Sequence, residues 1–199
     1  MTVSEKKSLK RAKIIDAAYK LFTDKSINST AIDDVVNAAG IAKGTFYLYF
    51  SDKYDLLDQL ILTKLTDIVL ETLIKLDCTV PESADAGEKV IFFANALIDR
   101  FSERKELLAL IDKNRSLTLR LIMNSENEQI NSAIEKLISD FKPEGASERE
   151  ALNAFYVLAD MIIAVCCDSI LYERPCGIDE MKPLLFMLVR RFIWKREII

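Results

Sequence analysis

Lys43, Gly44, Thr45, Tyr47 and Tyr49 lie within seven residues of one another, directly after Gly40-Ile41-Ala42. Their chemistry is recognition rather than bond-making. A lysine can reach guanine acceptors or a phosphate, and a threonine offers a hydroxyl together with a methyl suited to thymine. Gly44 would let the backbone come close to a partner. The hydroxyls of Thr30, Tyr47 and Tyr49 suit phosphate oxygens. Lys53 opens the next expected helix, where backbone N–H groups also favour an anion. Phosphate contacts of this kind would set register, and the groove-facing residues would set sequence.

Little else in the chain could do chemistry. There is no histidine, no Gly-rich phosphate loop, and Cys78, Cys166, Cys167 and Cys176 have no metal-ligand spacing. The expectation is a non-enzyme with no metal and no cofactor. Cys166 and Cys167 sit in an apolar segment and read as buried small hydrophobes, with a redox switch as the other reading. The net charge of −4 is unevenly spread. Residues 1–53 hold nine Lys and Arg against six Asp and Glu, a net of +3, and residues 54–199 hold 18 against 25, a net of −7. A mildly basic head on an acidic body fits a protein that meets DNA with one end only.

The elements that must position these residues are helical. With 5 Gly and 4 Pro in 199 residues, the chain lacks the turns of an all-β protein. Residues 1–8 are polar and expected to fray. Ile14, Ile15, Ala18, Leu21 and Phe22 keep helical spacing in a helix over about 8–23. Thr30 with Asp33 reads as a cap for a short helix over 31–39 that buries Ile32, Val35 and Val36. Gly40 then ends it in a left-handed turn. A second short helix over 42–48 turns Phe46 and Phe50 inward and leaves Lys43, Gly44, Thr45, Tyr47 and Leu48 outward. Ser51 or Asp52 caps a long helix over 52–76. Further helices are expected at 85–101, 104–112, 115–140 with a possible break near Asn124-Ser125, 147–173 capped by Ser147 and Glu150, and 178–196. No period-2 strand is apparent.

Two short helices meeting at a glycine turn form a helix-turn-helix. The stretch from Thr30 through Asp33, Val35, Val36, Gly40, Ile41, Ala42, Lys43, Gly44, Thr45, Phe46, Tyr47, Tyr49 and Phe50 to Lys53, with Leu56-Leu57 after it and Ala17, Leu21 and Phe22 before it, closely resembles the signature of the tetracycline-repressor (TetR) family. The resemblance covers about 50 N-terminal residues. It implies an all-α protein: an N-terminal three-helix helix-turn-helix domain, residues 1–53, joined to a C-terminal helical dimerisation and ligand-binding domain, residues 54–199. It further implies a homodimeric regulator, usually a repressor, whose two heads bind half-sites of a double-stranded operator. By resemblance Thr30, Lys43, Gly44, Thr45, Tyr47, Tyr49 and Lys53 match positions that contact DNA. Lys10 and Arg11 are further phosphate candidates. Asp52 departs from the pattern by placing a carboxylate near the phosphates, unless it serves as a cap.

The helix over 147–173 is apolar nearly all round, and the last helix is similarly rich. Such helices need cover on two sides, and a pair from each of two chains would form a four-helix dimer interface. Another face could line a cavity for a small apolar or amphipathic effector, with Phe93, Leu97, Phe101, Leu107, Ile111, Leu119, Met123, Phe155 and Tyr156 as lining candidates. The same residues read first as plain core, with cavity lining as the other reading. Asp160, inside the apolar run, reads as paired with Arg190 or Arg191 or turned to solvent in preference to ligand binding. Two regulatory readings stand: release from the operator by a small ligand, or control by a protein partner or by abundance. The longest apolar run, Ala154 to Cys167, is 14 residues and is broken by Asp160. With no leader-like start, the expectation is a cytoplasmic protein that does not enter membranes.

Overall fold

The computed structural model describes residues 2–115, 128–142 and 145–194. Among them there is no strand. The helices are α1 (Val3–Lys25), α2 (Ile32–Ala39), α3 (Lys43–Phe46), α4 (Lys53–Thr79), α5 (Ala86–Glu103), α6 (Lys105–Lys113), α7 (Glu128–Phe141), α8 (Glu148–Cys166) and α9 (Ile178–Trp194), with a π-helical turn at Cys167–Leu171 after α8. The chain divides into two compact units, residues 1–64 and 65–199, and the division falls within α4.

The first unit is built on the heptad-like apolar positions of α1. Ile14, Ile15, Ala18 and Phe22 are buried with Val35 and Val36 of α2, with Phe46 and Phe50, and with Leu56, Leu57, Leu60 and Ile61 of α4. Helix α1 starts earlier than the polar residues 1–8 imply. Thr2 accepts the Glu5 N–H at 3.2 Å while the Glu5 carboxylate accepts the Thr2 N–H at 2.8 Å, a reciprocal cap that satisfies two terminal donors. The α2 cap is also displaced by one residue from the expectation. Ala31 is the N-cap, and its N–H donates to the Asp34 carboxylate at 3.1 Å. Thr30 turns inward instead, its hydroxyl donating to the Ser26 carbonyl at 2.7 Å.

In the second unit, α5 packs against α6, α7, α8 and α9, and α6 packs on the π-helical turn. Asp85 caps α5 by accepting the Glu88 N–H at 2.9 Å, and Ser147 and Glu150 form the expected reciprocal cap of α8. Glu71 receives Arg104 at 3.0 Å and Arg100 at 3.6 Å, and Lys182 meets Asp99 at 2.8 Å. Among the described residues no buried side-chain nitrogen or oxygen lacks a partner. Cys166 and Cys167 are buried, and burial, above all, pushes both thiols up to about 12. They stay protonated at neutral pH, which fits their reading as small core residues rather than a redox pair.

Helix α8 runs on through the π-helical turn, so the apolar stretch from Glu148 to Leu171 is 24 residues long. Asp160 stands exposed at its middle, which matches the solvent reading of that residue.

Candidate functional site

The reading head is assembled around Gly40. Its φ of 66° puts the backbone in the left-handed region, which glycine enters without a Cβ clash. The Gly40 N–H then donates to the Asn37 carbonyl at 3.2 Å and the Ile41 N–H to the Val36 carbonyl at 3.0 Å, closing α2. Helix α3 is a short turn, briefer than the expected 42–48, but helical hydrogen bonding continues to Phe50, with the Tyr49 N–H on the Phe46 carbonyl at 2.9 Å. Phe46 and Phe50 anchor this segment, both fully buried, their rings 5.6 Å apart. A buried aromatic every fourth residue fixes which side chains must face out.

Those side chains are Lys43, Gly44, Tyr47 and Leu48, which are exposed, and Thr45 and Tyr49, which are half-buried. Leu48 is 75% exposed, the most exposed large apolar side chain in the described residues. A Cβ built on Gly44 would meet nothing within 4 Å, so no packing inside this chain requires a glycine there. Lys43 is not idle: its ammonium lies 2.8 Å from the Asp33 carboxylate, across the Gly40 turn.

Thr30 and Lys53 are brought together, but toward the protein. Thr30 is 2% exposed. The Lys53 ammonium donates to the Ile27 carbonyl at 2.9 Å and lies 3.3 Å from the Thr30 carbonyl, so it ties the loop before α2 to the start of α4. These two residues brace the head in the free protein. Asp52 acts as the cap of α4, its carboxylate accepting the Tyr54 and Asp55 N–H groups at 2.7 and 2.9 Å. Arg11, one of the phosphate candidates, is engaged elsewhere: its guanidinium donates to Gln59 at 2.7 Å and lies 5.8 Å from the Phe50 ring centre.

A network absent from the sequence reading runs on from there. Gln59 donates to the Asp55 carboxylate at 2.8 Å, and Asp55 also accepts the Ser51 N–H at 2.7 Å. Burial alone would raise the Asp55 pKa, but the Ser51 and Gln59 hydrogen bonds and the Arg11 charge outweigh it and hold the carboxyl below its ordinary value. The network clamps the chain where the recognition segment passes into α4. Its signal in the sequence is the spacing of Ser51, Asp55 and Gln59 at successive helical turns.

The second unit holds a cavity of about 100 Å³ between α4, α5, α7 and α8. Among the described residues its walls are Leu, Val, Ile, Phe and Ala. Four of the expected lining residues, Phe93, Leu97, Phe101 and Phe155, are among them. Leu107 and Ile111 are buried but do not line it, because α6 turns them into the core beside the π-helical turn. Tyr156 is 45% exposed and faces outward, since adjacent helical positions differ by 100°. Leu119 and Met123, with the possible break near Asn124-Ser125, lie outside the described residues.

A helix-turn-helix with an aromatic-anchored second helix is the arrangement of a DNA-binding segment. Residues 14–60 match the family described as bacterial regulatory proteins, tetR family. The match falls on the N-terminal helix-turn-helix unit. The fatty acid metabolism regulator protein of Bacillus subtilis (strain 168) is 27% identical over 137 residues, 69% of this chain. That match spans 64% of the relative's own length. The same fold occurs in the transcriptional regulator FadR from Bacillus subtilis, solved with stearoyl-CoA (TM-score 0.61, 20% identity, 92% of this chain and 98% of that one). It occurs too in the TetR-family repressor FadR of Thermus thermophilus, solved with lauroyl-CoA (TM-score 0.61, 19% identity, 94% and 97%).

Proposed function

We propose that the chain is a homodimeric, cytoplasmic repressor released from its operator by a long-chain acyl ligand. The observation that carries this reading is the cavity, whose lining among the described residues is Leu, Val, Ile, Phe and Ala. An aliphatic chain suits such walls, because any buried polar group would go unpaired there. Two structural neighbours named FadR were solved with stearoyl-CoA and lauroyl-CoA, which favours the same class. The cavity is small. Pockets that hold whole small molecules run to about 300–1,000 Å³, against about 100 Å³ here. An acyl chain must therefore spread α4, α5, α7 and α8 as it enters. That requirement supplies the differential affinity for two conformations on which any ligand-driven release depends.

The dimer reading rests on an apolar face of α8 and α9. Leu152, Tyr156, Val157, Leu184, Met187 and Leu188 are each 38–51% exposed, more than single scattered apolar residues require. A second copy of the same pair would cover it. Residues 1–53 as reading head and 54–199 as regulatory and dimerisation region remain the proposed division of labour.

The test adds stearoyl-CoA, lauroyl-CoA or free coenzyme A to the protein bound to a duplex enriched from a random pool. Release by the acylated forms and not by coenzyme A supports the reading. DNA binding indifferent to all three would favour control by a protein partner or by abundance.

A further inference from the structure

Two adjacent carboxylates at the start of α2 have different work. Asp34 accepts the Ala31 N–H and caps the helix. Asp33 takes no part in that cap and reaches across the Gly40 turn to Lys43, the first residue of α3, at 2.8 Å. Both members of the pair are more than half exposed, 63% for Asp33 and 53% for Lys43. An exposed ion pair of this kind contributes little to folding. Yet it sits on the surface that carries the recognition side chains, where an acidic residue opposes every phosphate. The hydrogen bond to Asp33, and then its charge, raise the Lys43 pKa, so the ammonium remains charged while paired.

We propose that Asp33 is a specificity-determining residue that acts by positioning Lys43: it holds the ammonium in a neutral pair, off the phosphates of arbitrary sequence, until a base acceptor in the correct groove replaces it. The inference rests on the reading that the segment from Lys43 to Tyr49 meets DNA. A free lysine can neutralise a phosphate wherever the protein lands. Each such contact on duplex DNA adds about −0.9 to the slope of log K against log salt. Paired with Asp33, Lys43 adds nothing to that slope on random DNA. Without Asp33 it adds one contact, and discrimination falls because only the non-specific complex gains.

The experiment uses the full chain and a labelled random-sequence duplex, with binding followed by fluorescence anisotropy. Asp33→Asn, with the α2 cap at Asp34 intact, should steepen the salt slope by about 0.9, so that the variant-to-wild-type affinity ratio grows about 3.5-fold as salt falls from about 200 to about 50 mM. Asp33→Ser should do the same. In a Lys43→Gln background Asp33→Asn should leave the slope unchanged. An unchanged slope in the wild-type background overturns the proposal. So does equal steepening with and without Lys43, which would make Asp33 a general surface charge. A wild-type protein that shows no salt-dependent duplex binding would instead remove the reading of the head, and this inference with it. A merely structural role for Asp33 would alter the melting temperature and not the slope.

Discussion

Gly44→Ala separates what the fold needs from what the DNA contact needs. A Cβ at Gly44 meets nothing within 4 Å, and the backbone there has no left-handed φ that alanine would resist. Replacing glycine by alanine at a compatible site restricts the unfolded chain and stabilises by about 0.4–1 kcal/mol. For a chain of this size that is a rise of about 1–4 °C in melting temperature. Binding should move the other way. The added methyl stands roughly 1.5 Å out from the backbone, on the face that carries Lys43 and Tyr47. Pushed back by that amount, the turn loses hydrogen-bonding distance to the base edges. One lost base contact costs about 1–3 kcal/mol, or about 5- to 150-fold in affinity. Differential scanning calorimetry and anisotropy on an enriched duplex measure the two effects on one sample. A stabilised protein with undiminished affinity would refute the close approach of Gly44. A destabilised one would show that the open space around the residue is not available.

Other perturbations test other parts. Val157→Glu places a charge on the exposed apolar face of α8 and should convert dimers to monomers in sedimentation velocity, with the head's melting behaviour unchanged; a persistent dimer would move the interface elsewhere. Asp55 has a depressed pKa in the folded head, so its contribution is present in full above its ordinary value of 3.8 and is lost as pH falls through and below that value. Asp55→Asn should therefore melt lower than wild type at neutral pH, with the gap closing in acid. A gap that stays constant down to pH well below the ordinary carboxylate value would mean the Ser51 and Gln59 bonds do not favour the charged form.

The head was legible because local rules dominate it. Gly40 could only be a left-handed stop, and Phe46 and Phe50, four apart, could only anchor the turn from inside. What escaped was decided by contacts between segments distant in sequence. Asp33 and Lys43 are ten positions apart and meet only because the Gly40 turn folds α3 back beside α2. The place of Lys53 at a helix start suits a phosphate, yet carbonyls of the loop at Ile27 and Thr30 hold its ammonium in the free protein. Thr30 and Asp33 have the spacing of a cap, but Ala31 and Asp34 have it too once the backbone is shifted by one. In the second unit the helices were readable and their faces less so. Phe155 faces the cavity and Tyr156 does not, a choice that an all-round apolar helix leaves to tertiary packing.

The central claim is that the outward side chains of the turn after Gly40 read DNA. Its most direct test is the affinity of Lys43→Ala combined with Tyr47→Ala for the enriched duplex at near-physiological salt. Both residues are exposed and neither anchors the head, so the variant should fold and melt as the wild type does while specific binding is lost. Undiminished affinity in a folded double variant would contradict the account.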